Sequence, residues 1–325
     1  MKILTIETSC DETAAAVVED GVKILSNVIA SSAAMHEKYG GIVPEVAARK
    51  QLESIIPVIN EALSQAGLTY RAIDALAVTV GPGLIGSLLV GVETAKTIAM
   101  ATDKPIIPVN HVLAHMDANF IDDKKVVFPA ISLVVSGGHT ELYLMRSIKD
   151  VKWLGGTLDD AAGEAFDKTA RLLGFGSRGG IAIQEHAKKS DLIRLPRPLM
   201  HDGTLNFSFS GLKTAILREW NKQKDHSEKI VSAFAHEVQE AITDVLAAKT
   251  RLAAEQHHAK SILLSGGVAA NLRLREKLPQ AIVPMVQLCT DNAVYIASYA
   301  YFRGKPTDWH NITAVPDLSV EKTTT

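Results

Sequence analysis

The stretch Ile6-Glu7-Thr8-Ser9-Cys10-Asp11-Glu12-Thr13 has a counterpart in the second half of the chain, Ser136-Gly137-Gly138-His139-Thr140-Glu141. Each follows a run of β-forming residues, at 3–6 and 131–135, and each leads into a second such run, which is typical of a β-hairpin. Small residues at the turn let backbone N–H groups approach phosphate oxygens, and hydroxyl groups add donors. Either turn alone would be an ordinary hairpin, but two predict a duplicated nucleotide-binding fold.

The duplication extends beyond the hairpins, because each is followed by a strand, a Gly-rich turn and a helix. The strand at 75–80 leads into Gly81-Pro82-Gly83-Leu84-Ile85-Gly86-Ser87, and the strand at 261–264 leads into Ser265-Gly266-Gly267-Val268-Ala269-Ala270-Asn271. Glycine permits a positive φ and close approach of a ligand, and the helix that follows offers unpaired N–H groups. Matching turns in matching halves indicate phosphate binding more strongly than one Gly-rich turn does.

The composition is that of a globular protein of 325 residues, 47% hydrophobic and 22% charged, which is long enough for two domains. Its two cysteines, Cys10 and Cys289, have neither disulfide nor zinc-site spacing, so we expect a reducing, cytoplasmic compartment without a signal or transit peptide. The longest apolar stretch, 83–101, contains Glu93 and Lys96 and therefore predicts a buried amphipathic helix. No membrane association is expected.

A net charge of −2 gives the chain no general attraction for nucleic acid. Contact with RNA would need a local basic patch, and a solvated loop face is the alternative interpretation of the one candidate. That candidate consists of Lys188, Lys189, Arg194 and Arg197.

Strand-like and helical segments alternate along the chain, which predicts α/β layers. Helical periodicity predicts one amphipathic helix from the apolar residues Ala48, Leu52, Ile55, Ile56, Ile59 and Leu63. It predicts another, after an N-cap at Ser227, from Ile230, Phe234, Val238, Ile242 and Val245. We expect one lobe from residues 1–125 with 292–325, and a second from 126–291 with a helical insertion at 155–226.

Two histidines stand four residues apart in Asn110-His111-Val112-Leu113-Ala114-His115, so on a helix they share one face and converge on a metal ion. A zinc protease would need Glu directly after the first His, where this chain has Val112. Two histidines on a helix without a metal remain the alternative. Asp291, which we expect to open a helix after a strand-like run, is the best candidate for a third ligand, and this set leaves positions open for substrate.

A second cluster of polar residues, 159–168, reads Asp159-Asp160-Ala161-Ala162-Gly163-Glu164-Ala165-Phe166-Asp167-Lys168 and predicts several carboxylates on one short helix. Most of them are expected to be helix-start partners or solvated side chains. One that faces a ligand would hold a ribose hydroxyl.

Nine blocks of the chain, in the same order over nearly its whole length, resemble the tRNA threonylcarbamoyladenosine transferases, the TsaD family. Besides the segments already quoted they include His36-Glu37-Lys38-Tyr39-Gly40-Gly41-Ile42-Val43-Pro44-Glu45 and Phe207-Ser208-Phe209-Ser210-Gly211-Leu212-Lys213-Thr214. The full set is 6–13, 36–45, 81–86, 110–115, 136–140, 159–168, 207–214, 265–271 and 289–292.

The resemblance implies an α/β, two-lobed actin, Hsp70 and acetate-kinase-like (ASKHA) fold of duplicated ribonuclease-H-like domains. It implies transfer of the threonylcarbamoyl group from threonylcarbamoyl-AMP to N6 of adenosine 37 in tRNAs that read codons starting with A, with AMP released. One divalent metal ion per subunit, Fe²⁺ or Zn²⁺, would bind to His111, His115 and Asp291. This ion would hold and polarise the threonylcarbamoyl group.

Matching motif positions assign further roles by resemblance. Asp11 and Glu12, on the first turn, would face the metal across the cleft and are the candidate catalytic residues. The residues along the adenylate would be Val134, Val135, Ser136, Gly137 and Gly138. Asp167 and Gly180 would contact its ribose region, and Asn271 would contact the nucleotide from the second lobe. ATP or ADP would bind in the same cleft.

The implied partners are tRNA, a paralogous TsaB-like subunit of the same fold and a small TsaE-like ATPase, with a homodimer, through an exposed helix of the first lobe, as a further option. Two other functions stay open. An ATPase or small-molecule kinase of the same fold fits the phosphate-type turns, but such enzymes bind Mg²⁺ through oxygen ligands rather than a histidine pair. A non-catalytic assembly subunit would be expected to have lost the metal ligands, whereas this chain keeps all three.

The chain departs from the family pattern in the second lobe. Ser177, Arg178 and Ile181 replace a segment in which two prolines are usual, although Gly179 and Gly180 are kept. Gln184 stands where relatives often have an acidic residue, which puts a second ribose contact in doubt. The segment 276–287 is shorter than usual, and the tail after Arg303 matches poorly.

Overall fold

The computed structural model describes residues 1–36, 41–121, 125–176 and 179–320. It contains two compact units: unit 1 comprises Met1–Lys125, Ile148–Asp150 and Pro284–Thr325, and unit 2 comprises Val126–Ser147 and Val151–Val283. The return to unit 1 at Pro284 differs from the expected lobe boundary after Asp291. Parts of the sequence-based interpretation lie outside the described residues: 37–40, the polar break at 122–124, Ser177 with Arg178, and the tail at 321–325.

The sheet of unit 1 has five strands in the order β3-β2-β1-β4-β5. The first predicted hairpin consists of β1 (Lys2–Glu7) and β2 (Glu12–Glu19), and β2 also pairs antiparallel with β3 (Lys23–Ser31). On the other side, β4 (Ala75–Gly81) runs parallel to β1, and β5 (Ile106–Asn110) runs parallel to β4. The central strands β1 and β4 are buried, which is why their sequences are nearly continuous apolar runs.

The sheet of unit 2 repeats this plan with four strands in the order β8-β7-β6-β9. The second predicted hairpin is β6 (Ala130–Val135) with β7 (Thr140–Met145), and β8 (Val151–Gly156) pairs antiparallel with β7. The strand β9 (Ser261–Ser265) runs parallel to β6, as β4 does to β1. The duplication predicted from the two turns is therefore confirmed.

The Gly-rich turns after β4 and β9 pack closely against the hairpin tips. After β4, the helix α3 (Ile85–Thr102) begins, and a side chain at Gly83 would meet the Ser9 carbonyl oxygen at 2.5 Å. After β9, Gly266 has φ +89°, and a Cβ there would meet the Val135 carbonyl oxygen at 2.4 Å. Glycine is thus required at both turns by close approach, and at the second by its backbone conformation as well.

The other helices of unit 1 are α1 (Ala33–His36), α2 (Pro44–Gln65), α4 (His111–Asp117) and α10 (Val294–Phe302). The predicted helix at 48–63 is α2, but part of its predicted apolar face is wrong. Leu52 is 64% exposed and Ile56 is 51% exposed, whereas the polar Gln51 is fully buried. The face packed on the sheet is set by Ala47, Gln51, Ile55, Val58 and Ala62.

Unit 2 carries α5 (Ala162–Leu172), α6 (Gly179–His186), α7 (Ser210–Asn221), α8 (Glu228–Gln256) and α9 (Leu272–Lys277). Ser227 is the N-cap residue of α8, as predicted, and Phe234, Val238, Ile242 and Val245 are buried. The expectation of one helix over 159–168 is wrong in part. Asp159 and Asp160 precede α5, because they accept bonds from the start of α7 and from Lys213.

Among the described residues, no helix combines the length and hydrophobicity needed to cross a membrane.

Candidate metal centre and nucleotide site

The histidine pair is positioned by the junction of β5 and α4. Asn110 ends β5, and its Oδ1 accepts hydrogen bonds from the backbone N–H groups of Val112 at 3.0 Å and Leu113 at 3.1 Å. This N-cap starts the helix at His111 and brings His115 onto the same face one turn later. Both imidazoles are buried, and their ring centroids lie 4.6 Å apart.

Asp291 completes the cluster from the C-terminal segment of unit 1. Its Oδ1 lies 3.3 Å from His115 Nε2 and 3.7 Å from His111 Nε2, and the ligand atoms of the three residues all lie within 4.8 Å of one another. The expected strand before it is wrong: Asp291 follows a 3₁₀ helix, Val286–Leu288, and lies in a bend ahead of α10. Tyr295, the second residue of α10, donates to Asp291 Oδ1 at 3.2 Å.

Glu7 contacts His111 at Nδ1, the ring nitrogen that does not face Asp291. Glu7 Oε2 lies 3.2 Å from His111 Nδ1, and the hydroxyl of Thr79 donates to the same carboxylate oxygen. The backbone N–H of Ser9 donates to Glu7 Oε1 at 2.5 Å. A carboxylate on Nδ1 leaves His111 Nε2 facing Asp291, which is the arrangement that orients histidine ligands in metal proteins.

The charged side chains of the site shift one another's pKa values. Burial raises the pKa of Glu7, but the charge of His111 and their hydrogen bond outweigh it and hold this pKa below the usual range. Burial lowers the pKa of His111, yet Glu7 and Asp291 raise it to about 9. The pKa of His115 is lowered by burial and by the charge of His111. Despite burial, the charge of His111 holds the pKa of Asp291 well below its usual value.

The donor set fits a divalent metal. Neither ring nitrogen of the buried His115 makes a hydrogen bond with the described residues, since its 3.3 Å approach to Asp291 lies outside hydrogen-bonding geometry. Two imidazoles and one carboxylate are ligands that Zn²⁺ and Fe²⁺ accept, with coordination positions left for substrate. His111, His115 and Asp291 are hereafter the metal triad.

The two candidate catalytic residues lie on the β1–β2 turn of unit 1. Burial raises the pKa of the Asp11 carboxyl, and the negative charge of Asp291 raises it further. Glu12 opens β2, and its Oε1 accepts from the Ser31 hydroxyl at 2.9 Å. Asp11 therefore lies within the electrostatic reach of Asp291, whereas the Glu12 carboxylate bonds to Ser31 of β3.

The five consecutive residues predicted along the adenylate lie in unit 2 at the β6–β7 hairpin. Val134 and Val135 are buried in β6, where they pair with Glu141 and Thr140 of β7. Ser136 is half-buried, and Gly137 and Gly138 are exposed at the turn. Gly163 packs on this turn, since a Cβ there would meet the Ser136 carbonyl oxygen at 2.5 Å.

The other predicted nucleotide contacts lie on α5, α6 and α9 of the same unit. Asp167 Oδ1 accepts from the Gly179 backbone N–H at 2.9 Å, next to Gly180. Asn271 is the N-cap of α9, and its Nδ2 donates to Gln239 Oε1 at 3.0 Å. Gln184, the departure from the family pattern, accepts from the Leu272 backbone N–H at 2.7 Å and so ties α6 to α9.

Two of the four cations of the candidate basic patch at 188–197 pair with carboxylates of α8. Lys188 pairs with Glu228 at 2.7 Å, and Arg197 pairs with both Glu237 and Asp244. These ion pairs reduce the positive charge that the segment offers to RNA, which favours the alternative interpretation of a solvated loop face.

Comparison with known proteins decides the family. Residues 23–298 match the family model TsaD, tRNA N6-adenosine threonylcarbamoyltransferase. The chain belongs to this family. A tRNA N6-adenosine threonylcarbamoyltransferase of Persephonella marina is 49% identical over 317 residues, 94% of this chain and 91% of that protein. One of Syntrophomonas wolfei is 49% identical over 310 residues, 92% of this chain and 91% of that protein.

Solved structures confirm the ASKHA fold of this chain. Component A of the Acidaminococcus fermentans (R)-2-hydroxyglutaryl-CoA dehydratase aligns with a TM-score of 0.56 at 16% identity, covering 93% of this chain and 98% of that one. Full-length HypF, in a phosphate- and nucleotide-bound form, aligns with a TM-score of 0.60 at 13% identity, covering 92% of this chain and 46% of that one. At such identities the likeness concerns the fold alone.

Sequence reasoning missed several side chains that lie at the candidate metal centre and at the turn 8–12. Glu7 lies in the quoted turn but received no role, although a carboxylate directly after four buried residues is a signal of function. Tyr295 stands four residues after Asp291, and the helix expected to open at Asp291 would have placed the two on one face, but no role was assigned to Tyr295. Gln51 gave no signal, because its apolar neighbours dominated the interpretation of α2.

Proposed function

We propose that the chain transfers the threonylcarbamoyl group from threonylcarbamoyl-AMP to N6 of adenosine 37 in tRNAs that read codons starting with A. The bond from the carbamoyl carbon to N6 forms, the bond from that carbon to the phosphate oxygen breaks, and AMP leaves while N6 loses a proton. The metal triad in a chain of this family is the observation that carries the proposal.

We propose that the metal triad holds one divalent ion, Fe²⁺ or Zn²⁺. When bound, such an ion supplies Lewis-acid polarisation of a carbonyl oxygen. The chain's own contribution is the orientation of the ligands: Glu7 fixes the ring of His111, and Tyr295 fixes the carboxylate of Asp291. Buried surroundings keep water from competing with these contacts.

The remaining roles follow the division of residues between the units. In unit 1, we propose that Asp11 and Glu12 contact the reacting group, with the raised pKa of Asp11 making it the better candidate for moving a proton. In unit 2, the backbone of Val134–Gly138, together with Asp167, Gly180 and Asn271, is proposed to bind the adenylate or, in its place, ATP or ADP. Small residues and N–H groups at the β6–β7 turn suit phosphate oxygens.

The decisive experiment is mass spectrometry of tRNA nucleosides after incubation of the purified chain and its partner subunits with threonylcarbamoyl-AMP and unmodified tRNA. The variant His111→Ala with His115→Ala is expected to lose product by about a hundredfold or more, because ligand orientation and carbonyl polarisation are lost together. The matched control is His201→Ala with His257→Ala, which removes two histidines outside the site and should leave the yield unchanged. Product from the triad variant at the wild-type level would refute the proposal and favour the ATPase or assembly-subunit functions.

We propose tRNA and a paralogous TsaB-like subunit as binding partners, with a small TsaE-like ATPase as a third component. An exposed apolar surface on α2 and α3 supports a protein partner: Leu52 and Ile56 lie one turn apart, and so do Ile85 and Leu89. The two helices pack together here, with Gly86 against Ala48. Exposed apolar patches of this kind mark interaction surfaces.

The partner proposal is tested with the variant Leu52→Glu and Ile56→Glu. Light scattering of the wild-type chain mixed with a paralogous subunit is expected to show a heterodimer, and the variant should remain apart from it, because two carboxylates cannot be desolvated in the interface. Glu53→Gln, on the same helix, is the control and should still bind. A wild-type chain that self-associates instead would support the homodimer and refute the paralogous partner.

A further inference from the structure

The β1–β2 turn, residues 8–12, has every one of its carbonyl oxygens bonded to the interior of unit 1. The Ser9 oxygen accepts from the Leu84 backbone N–H at 2.8 Å. The Asp11 oxygen accepts from Ser32, through its N–H at 3.2 Å and its hydroxyl at 2.7 Å. The other three oxygens, of Thr8, Cys10 and Glu12, all accept from a single side chain on α2.

That side chain is Gln51, which is fully buried. Its Nε2 donates to the carbonyl oxygens of Cys10 and Glu12, both at 3.0 Å, and lies 3.4 Å from that of Thr8. Its Oε1 is buried and has no hydrogen-bond partner in the described part of the chain. A buried amide oxygen without a partner costs free energy, so the contribution of this residue lies in the bonds that its nitrogen donates.

The orientation of these carbonyl groups fixes the other side of the turn. In a planar trans peptide the C=O and the following N–H point in opposite directions. Because the carbonyl oxygens of Thr8, Cys10 and Glu12 point toward α2, the N–H group that follows each of them points away from α2. The turn lies against the metal triad, because the hydroxyl of Ser9 is 3.3 Å from His111 Nδ1.

We infer that Gln51 is a positioning residue of the transfer reaction: its amide fixes the turn 8–12 so that this turn, which carries Asp11, is held against His111 of the metal triad. The inference rests on the proposed function, because it assigns Gln51 a role in that reaction. Gln51 acts through the turn and does not touch the reacting groups. Gln51 donates to three of the five carbonyl oxygens of the turn, and of these three the Cys10 oxygen also accepts from a second side chain, the Ser87 hydroxyl at 3.0 Å.

The test replaces the donor with an apolar side chain of similar length, Gln51→Met. The matched control is Gln65→Met on the same helix, where the glutamine is exposed and its amide bonds only to Glu61. The first measurement is the rate at which N-ethylmaleimide alkylates Cys10, followed by intact mass. Cys10 is half-buried and the other cysteine, Cys289, is buried, so the rate reports on the turn. Gln51→Met is expected to accelerate alkylation by about tenfold, since the bonds that close the turn are lost.

The second measurement separates positioning from general stability. We expect Gln51→Met to lower kcat for transfer by about tenfold or more while the KM for tRNA and the metal content stay within twofold of wild type. Gln51→His, whose ring N–H still donates, should restore part of both the alkylation protection and kcat. Gln65→Met should match wild type throughout.

Three results would overturn the inference: equal alkylation rates in wild type and Gln51→Met, an unchanged kcat, or a fall in kcat that Gln51→His does not relieve. If Gln51→Met fails to fold, the comparison of Gln51→His with Gln51→Glu serves the same purpose, because the carboxylate offers no donor to the three oxygens. A wild-type chain that transfers nothing would refute the proposed function, while the alkylation rates would still decide whether Gln51 holds the turn.

Discussion

At the scale of the residue, the contact between Glu7 and His111 is the feature that makes His111 a candidate metal ligand rather than an ordinary buried histidine. The partners lie 104 positions apart in sequence, so no periodicity relates them. The His111 and His115 pair could be predicted because spacing within one helix is a local property. The roles of Glu7 and Gln51 could not, because each depends on which distant element packs against β1.

The variant Glu7→Gln tests the orienting role of the carboxylate. Its amide fills the same space but carries no negative charge, so the basicity of His111 falls and metal affinity is expected to drop by about 10- to 100-fold. Competition with a chromogenic chelator measures the affinity for Zn²⁺ directly. Glu19→Gln, which removes a carboxylate at the far end of β2, should bind the metal as wild type does. Equal affinity in the two variants would contradict the role of Glu7.

At the scale of the element, Asp159 was predicted to lie on the helix 159–168, but it caps a different helix, α7. Its two carboxylate oxygens accept from the N–H groups of Phe209 and Ser210 and from the hydroxyls of Ser208 and Ser210. It thus caps α7 from 50 residues away in sequence. Pattern alone placed 159–168 on one helix, because a capping partner so distant leaves no mark in the local sequence.

The pKa of Asp159 predicts how this cap depends on pH. Burial opposes the shift, but the donors of Ser208, Phe209 and Ser210 lower the pKa from 3.8 to about 2. A carboxyl group with a depressed folded-state pKa stabilises the fold above about pH 4, and this contribution is lost as the pH falls toward 2. Asp159→Ala is therefore expected to lower the free energy of unfolding by about 1 kcal/mol at pH 6, and by less at pH 3. Urea titrations at both pH values measure it, with the exposed Asp191→Ala as control; an equal loss at pH 3 and pH 6 would contradict the argument.

At the scale of the whole molecule, the duplication was readable from local signals, since each half repeats a hairpin, a strand and a Gly-rich turn. The point at which the chain returns to unit 1, ahead of Asp291, could not be predicted from the sequence. Residues 284–320 return to unit 1 through long-range contacts: Thr5 donates to the Ala293 carbonyl oxygen at 2.7 Å, and Ser298 donates to that of Gly21 at 2.8 Å. Such contacts depend on tertiary packing, which spacing and composition do not report.

One buried ion pair joins the two segments that supply the metal triad. Arg303, at the end of α10, donates two hydrogen bonds of 2.6 Å to Asp117, at the end of α4, and both side chains are buried. Burial raises the pKa of Asp117, and the guanidinium opposes this shift. Arg303→Met would leave a buried carboxylate without its partner, which typically costs about 3–5 kcal/mol. We expect a lower Tm and weaker Zn²⁺ binding together, because α4 carries the two histidines and α10 begins three residues after Asp291.

The double variant Arg303→Met with Asp117→Asn separates two effects: the cost of burying an unpaired carboxylate, and the loss of the hydrogen bonds that join α10 to α4. Without the buried charge, most of the Tm should return, since the desolvation penalty disappears with it. Zn²⁺ affinity should recover less, because neither side chain then holds α10 against α4. Calorimetry and chelator competition on the same samples report both quantities. Full recovery of metal affinity along with the Tm would show that the ion pair stabilises unit 1 without orienting the triad.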